Sequence, residues 1–254
     1  MNIRLYTPAP LAQGHELNLP PGPARHAQVR RVQPGDTLWL FDGQGADWPA
    51  TVLAMGKTEV RVRLGAPRPV SRELPVAVTL ALAMPANERM DTLVEKATEL
   101  GVAVIQPLHS ERSVLRLAGD RATRKQAHWQ AIAEASCEQC GRAVVPVVAP
   151  LQSLSTWLTR QQAAARTGPR LLLSLREGAA AVPTLAAALL AAGAAGSLHT
   201  LSGPEGGLTP DEETAALAAG YLPTDLGPRV LRAETAPLAV LAWLALQVTL
   251  PRPR

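Results

Sequence analysis

The chain has 254 residues, 47% of them hydrophobic and 18% charged, enough for one large domain or a small and a medium one around a sizeable core. Its longest strongly apolar run, Ala236 to Leu246, has 11 residues, short of the roughly 20 that a membrane helix needs. Met1 to Gln13 lacks the apolar stretch of a signal peptide, so a soluble, cytoplasmic protein with no membrane partner is expected.

Charge is uneven along the chain. Residues 1–74 hold nine Lys/Arg against six Asp/Glu, most of a net charge of +4. A mildly basic N-terminal third is compatible with a nucleic-acid partner. Residues 1–70 read as short strands and turns. Pro20-Pro21-Gly22-Pro23 reads as a rigid loop, Pro34-Gly35-Asp36 as a turn before the strand Thr37–Phe41, and Asp42-Gly43-Gln44-Gly45 as a second turn. Ala50–Ala54 and Glu59–Leu64 continue the pattern, and alternation in the latter turns Arg61 and Arg63 outward. A small β-barrel of about five strands is predicted, with Trp39 and Trp48 packed into it. The proline-rich stretch 66–75 is stiff. It places a first domain at 1–70, a linker at 71–75 and a second domain at 76–254.

From Val76 the rhythm becomes that of strand alternating with helix. Val76–Met84 is a strand. Glu88–Leu100 carries Met90, Leu93, Val94, Ala97 and Leu100 on one helical stripe, closed by Gly101. Val102–Leu108 is a strand, and Arg121–Gln139 a helix. Cys137 and Cys140, the only cysteines, have no second Cys/His pair at zinc-like spacing. They read as two reduced thiols, and no metal is expected. Strands follow at Val144–Val148, Arg170–Ser174, Leu198–Ser202 and Tyr221–Leu226, with helices at Ser153–Ala164, Val182–Ala192 and Pro210–Ala219. Apolar strands alternating with helices predict a buried parallel sheet. Thr209-Pro210-Asp211-Glu212 has the form of a capping box with Pro at the first helical position. The last helix, about Thr235–Val248, is apolar on nearly all faces and needs cover all round, part of which a subunit interface would supply.

Two glycine-rich stretches stand out, Ser202-Gly203-Pro204-Glu205-Gly206-Gly207 and Leu226-Gly227-Pro228-Arg229-Val230-Leu231-Arg232-Ala233-Glu234-Thr235-Ala236. Each follows a strand-like run and leads into a helix, and open α/β sheets bind ligands in crevices between such loops. Gly203, Gly206 and Gly207 let the backbone approach a ligand, and free N–H groups there bind an anion or an adenine edge. The Lys-Ser/Thr of a P-loop is missing and the spacing is not G-x-G-x-x-G, which disfavours a nucleoside triphosphate. Arg229, Arg232 and Glu234 lie between hydrophobic elements, where unpaired charges are costly, so they should pair with each other, a ligand or RNA.

Several further segments, in this order, carry a resemblance. They are Arg25-His26 with Val32-Gln33-Pro34-Gly35-Asp36, Phe41-Asp42-Gly43, Glu95 through Val102, Ser110-Glu111-Arg112-Ser113-Val114, Trp129 through Ile132, and Cys137 through Arg142. With the two loops they make the chain resemble the SPOUT class of S-adenosylmethionine-dependent RNA methyltransferases, and within it the RsmE branch. The resemblance implies an α/β protein with an N-terminal PUA-like β-barrel and a C-terminal SPOUT α/β domain tied in a trefoil knot. It implies a homodimer, and methylation of N3 of a uridine in small-subunit (16S) ribosomal RNA, free or in the 30S subunit.

The cofactor would lie between Leu201, Ser202, Gly203, Pro204, Glu205, Gly206 and Gly207, the second-loop residues Leu226, Gly227, Arg229, Val230, Leu231, Ala233, Thr235 and Ala236, and the region Leu173–Leu175. Charge beside that loop suggests Arg232 as the group stabilising a uridinate and Glu234 as the base, the alternative for Glu234 being a helix-start residue facing the macrodipole. Arg4, Arg25, Arg30 and Arg31 are candidates for phosphate contacts, and Arg142 for RNA. Glu111-Arg112 is either an ion pair fixing its loop or an RNA-facing pair. Three departures from the family pattern are visible: Ala143-Val144 where an Asn-Arg pair is usual, Ser174-Leu175-Arg176-Glu177 where a His-Pro-type sequence is usual, and Ala233 where Thr is frequent. The rival readings are a non-catalytic RNA-binding assembly factor and a small-molecule enzyme that takes an adenine nucleotide.

Overall fold

Alternation along Val60–Leu64 sets the character of the N-terminal sheet: Val60, Val62 and Leu64 are buried while Arg61 and Arg63 point to solvent. The computed structural model describes residues 3–8, 10–85, 87–165, 168–175, 179–181 and 196–247. It divides into two compact units: one comprises the described residues up to Glu73 with Glu134–Val145, the other Leu74–Ala133 with the described residues from Pro146 onward.

In the first unit β1 (Arg4–Tyr6), β2 (Glu16–Asn18), β3 (Thr37–Phe41), β4 (Ala46–Met55), β5 (Val60–Leu64) and β6 (Arg68–Pro69) form one sheet, ordered β1-β3-β4-β5-β2 with β6 on β4. The β1–β3 pair is parallel and the others antiparallel. The Pro20–Pro23 segment, expected to be a loop, instead opens helix α1 (Pro21–Val29). The first turn of a helix has no use for its N–H groups, so prolines fit there. The first bond of the helix runs from the Ala24 N–H to the Pro20 carbonyl, 2.9 Å. Ala24 and Ala27 then pack into the core with Leu5, Leu38, Val52 and Val62. Arg31 ends α1 in the left-handed region, φ 56, a position glycine more often fills. Trp48 packs against this core, whereas Trp39 lies under the Arg68 guanidinium, 4.7 Å from its ring centre.

Residues 134–145 complete this unit. The Tyr6 N–H donates to Glu138 Oε1 at 2.8 Å, and the Gly45 N–H to the Ala143 carbonyl at 3.0 Å. Gln44 bridges Val144 in antiparallel fashion. The strand expected over Val144–Val148 is therefore shorter. Only β9 (Val147–Val148) pairs, with Val104 and Ile105, because Val144 serves the other sheet.

In the second unit β7 (Ala77–Ala83), β8 (Val104–His109), β9, β10 (Gln152–Ser153), β11 (Arg170–Leu173), β12 (Ala180–Ala181), β13 (Ser197–Ser202) and β14 (Leu222–Asp225) form a sheet ordered β10-β8-β7-β13-β11-β14-β12, with β9 on β8. Every pairing among the described residues is parallel. The helices are α2 (Asn87–Glu99), α3 (Gly119–Cys140), α4 (Leu154–Ala163), α5 (Pro210–Ala218) and α6 (Thr235–Gln247). The helix expected at Val182–Ala192 lies outside the described residues. The predicted α2 stripe is real: Met90, Leu93, Val94 and Ala97 are 0% exposed, and Gly101 ends the helix at φ 95. On α6, Val240, Leu241 and Leu244 join the same core, while Leu246 is 83% exposed. Adjacent strands end level: Leu173 of β11 stands beside Ser202 of β13 and Thr224 of β14. The chain leaves the sheet at one edge of three neighbouring strands, and both glycine stretches start there.

Candidate active site

Parallel strands direct their carboxyl ends to one side, so the loops that leave β11, β13 and β14 enclose a common space. A cavity of about 450 Å³ lies among them, within the usual size of a small-molecule site. Ser202, Gly203, Pro204, Glu205 and Gly207 of the first loop line it. Val230, Leu231, Arg232, Ala233 and Ala236 of the second loop line it too, with Leu173, Ser174 and Leu175 between them. A smaller cavity of about 80 Å³ shares Leu173 to Leu175, Leu231 and Ala236, and adds Leu226, Gly227 and Arg229.

Glycine is needed here for two different reasons. A Cβ on Gly203 would sit 2.8 Å from the Gly207 carbonyl carbon and 2.8 Å from the Leu208 nitrogen, so the loop closes on itself only without a side chain. Gly207 instead needs its conformation: φ is 67, and its N–H donates to the Pro204 carbonyl at 2.8 Å.

Of the residues expected to touch a cofactor, Leu201 is 0% exposed and belongs to the sheet core. Gly206 gives its carbonyl to Arg112, and Thr235 opens α6 on its exposed side. Arg232 is exposed and lines the larger cavity. Glu234 is not among the residues lining either cavity. Its side chain is 15% exposed with Oε1 3.9 Å from Arg89 Nε, and its Oε2 is buried without a hydrogen-bond partner among the described residues. Ser202 lines the cavity, and its Oγ is buried without a hydrogen-bond partner among the described residues.

Two charged groups of the site were not singled out in the sequence. Arg89, on α2, donates to Glu205 Oε1 at 2.9 Å and lines the cavity. Glu213, in the first turn of α5, accepts from Ser174 Oγ at 2.7 Å. Neither had a local signal, since each looks like an ordinary polar residue early in a helix.

The arginines expected on RNA divide into groups. Arg25, Arg30 and Arg31 are exposed on α1 and its end. Arg4 is not: its side chain is 10% exposed and pairs with Asp47 at 2.8 Å. It also donates to the carbonyls of Cys137 (2.5 Å) and Arg142 (2.7 Å) and lies 3.7 Å from the Phe41 ring centre. Arg142 is 3% exposed and bonded to the Glu73 carboxylate. A buried guanidinium has to be paired, and both of these are, so the phosphate and RNA contacts expected of them give way to internal roles. Arg112 is exposed but donates to the carbonyls of Gly206 (2.9 Å) and Leu208 (3.3 Å).

The thiols of Cys137 and Cys140 are free. The Cys137 thiol donates to the Val144 carbonyl at 3.7 Å, and its proximity to Cys140, with the Arg142 backbone N–H and the charges of Arg142 and Arg4, lowers the Cys140 pKa.

The volume of the larger cavity and its lining of loop backbone and apolar side chains accommodate a small organic molecule the size of S-adenosylmethionine. No helix among the described residues is long and apolar enough to cross a membrane. Comparison with known proteins agrees with this geometry. Residues 72–245 match the RNA methyltransferase domain, and residues 24–65 the PUA domain of RNA methyltransferases. The ribosomal RNA small subunit methyltransferase E of Synechocystis sp. is 33% identical, over 85% of this chain and 68% of its own. Its counterpart in Bacillus subtilis is 30% identical, over 88% of this chain and 87% of its own. The crystal structure of a ribosomal RNA small subunit methyltransferase E from Neisseria gonorrhoeae bound to S-adenosyl methionine is 34% identical with a TM-score of 0.87, covering 96% of this chain and 97% of that one. With a family model spanning most of its length and relatives at these identities, the chain belongs to the RNA methyltransferase family whose N-terminal part is a PUA domain.

Proposed function

We propose that this protein methylates N3 of a uridine in small-subunit ribosomal RNA, with S-adenosylmethionine as the donor. The observation that carries the reading is the cavity at the ends of β11, β13 and β14, walled by the two glycine loops. The backbone of Gly203 to Gly207 would hold the adenine end. When bound, the cofactor supplies a methyl group already activated on a sulfonium, so the protein's task is mainly to position the reactants.

The proton on uridine N3 must leave. Glu234, next to the cavity-lining Ala233 and with an oxygen that has no donor among the described residues, would accept that proton once the second loop shifts to bring its buried carboxylate to the base. Arg232, exposed at the cavity mouth, offers its fork to O2 or O4 as negative charge spreads over the uracil ring. Arg25, Arg30 and Arg31 supply phosphate contacts from the first unit. A second copy of the chain covers the apolar surface left on Val230 and Leu246, 78% and 83% exposed. The C-terminal segment is threaded as a knot in this reading, and the protein works in the cytoplasm.

Titration calorimetry with S-adenosylmethionine should give heat with the wild-type protein and with Arg232→Ala and Glu234→Gln. Both variants should lose on the order of 100-fold in methyl transfer to small-subunit RNA, read by mass mapping of the RNA. No heat with the wild type removes the cofactor from the proposal, and full transfer by Arg232→Ala removes that residue.

A further inference from the structure

We infer that Arg112, assisted by Arg89, is a positioning residue for the cofactor: the two guanidinium groups hold the first glycine loop in its binding shape. The inference rests on the cofactor reading above and assigns Arg112 to the cofactor loop instead of the RNA surface.

The loop is built from residues that leave its backbone free to turn. It contains three glycines, and its internal bond runs from the Gly207 N–H to the Pro204 carbonyl at 2.8 Å. The carbonyls of Gly206 and Leu208 are instead taken by one nitrogen of Arg112, at 2.9 and 3.3 Å. Donation from a charged group to a carbonyl is among the stronger hydrogen bonds available. The Glu205 side chain is held separately, by Arg89 from α2 at 2.9 Å.

The support for Arg112 is stiff. The Ser110 N–H donates to Ser113 Oγ at 3.0 Å, the two hydroxyls bond each other at 3.0 Å, and the Ser113 N–H returns to the Ser110 carbonyl at 3.2 Å. Both serines are buried. Arg116 donates to the Glu111 carbonyl at 2.9 Å, and His109 Nε2 meets the Leu117 carbonyl at 2.9 Å. The same turn is tied to the far end of the loop, where the Glu111 N–H donates to Glu212 Oε1 at 2.7 Å. The other oxygen of that carboxylate accepts from the Thr209 N–H at 3.0 Å. A rigid turn is therefore sewn to the glycine loop and to the helix that follows it.

A flexible loop binds with its intrinsic affinity reduced by the fraction of time it spends in the competent shape. Removing the brace lowers that fraction. The apparent cofactor affinity then falls, while a loop already filled at saturating cofactor works nearly as before.

Arg112→Met should weaken S-adenosylmethionine binding about tenfold and raise its KM by a similar factor, with a much smaller loss in kcat. Arg89→Met, which removes a half-exposed pair, should weaken it about two- to fivefold. Arg112→Lys should recover part of the loss, since one charged donor remains. RNA affinity and its salt dependence should not change, and the Tm should fall by no more than a few degrees.

If Arg112→Met takes up S-adenosylmethionine like the wild type and loses RNA affinity with a shallower salt slope, Arg112 is a phosphate contact and the inference is wrong. A lowered Tm with unchanged cofactor affinity also overturns it, leaving a structural role. Should Arg112→Met fail to fold, Arg89→Met decides by the same readings. A wild type that takes up no cofactor refutes the functional reading itself, whereas a wild type that binds, with variants that bind equally, refutes only the brace.

Discussion

Arginine is the residue whose role depends most on its surroundings here. Arg4 and Arg142 have their donors committed to carbonyls and carboxylates inside the first unit, so they hold residues 134–145 against the sheet. Arg25, Arg30 and Arg31 remain exposed. The same kind of distinction separates the glycines. Gly203 is limited by space and Gly207 by backbone angle. Alanine at 203 puts its methyl against backbone atoms that cannot swing away, so Gly203→Ala should abolish measurable heat with S-adenosylmethionine. Alanine at 207 meets nothing within 4 Å and costs only the left-handed conformation, about 1–2 kcal/mol. Gly207→Ala should still bind, more weakly. Calorimetry on the pair checks this, and equal affinities would refute the steric argument at 203.

Helix α5 shows how a local rule survives at the scale of an element. The capping box is formed as expected: Thr209 Oγ1 accepts from the Glu212 N–H at 3.3 Å, and Glu212 Oε2 accepts from the Thr209 N–H at 3.0 Å. Thr209→Ala removes the first of these bonds in a buried place and should lower stability by about 1 kcal/mol. Urea unfolding would show it as a lower midpoint at unchanged slope, and an unmoved midpoint would mean the box contributes nothing. The stripe on α2 and the glycine that ends it were equally plain, because a 3.6-residue period and a left-handed terminator are local properties. Two elements were misread. The prolines at the start of α1 look like a loop out of context, since the sequence alone does not say that a helix follows to exploit them. The strand over Val144–Val148 is divided because its first residue pairs with the other unit's sheet.

For the molecule as a whole, the parallel sheet of the second unit carries a pH sensitivity. His199 lies on β13, inside the sheet between β7 and β11, with its ring stacked on Trp157 at 6.0 Å. Its Nδ1 has no partner among the described residues. Burial, and then the charge of Arg170, keep its pKa below the usual 6.5. The folded protein therefore holds the ring neutral at a pH where the unfolded chain already takes up a proton. The stability contributed is full above pH 6.5 and is lost as the pH falls below it toward the folded value. Urea unfolding at pH 7.5 and 5.5 should show the wild type losing more stability on acidification than His199→Gln, and an equal loss would clear His199 of this role.

A parallel α/β sheet after an N-terminal β domain, most of the run of strands and helices, the two glycine loops and the capping box were legible from order and composition alone. Each depends on residues close together in the chain, where period, turn chemistry and the lack of a Cβ act directly. What the tertiary structure decided were pairings across long separations. Arg89 meets Glu205 across 116 residues, Arg4 meets the Arg142 carbonyl across 138, and Arg112 reaches the Gly206 carbonyl across 94. A charged side chain carries no mark of its future partner. Only folding, which obliges each buried or half-buried charge to find one, shows which arginines are kept for the outside and which hold the site together.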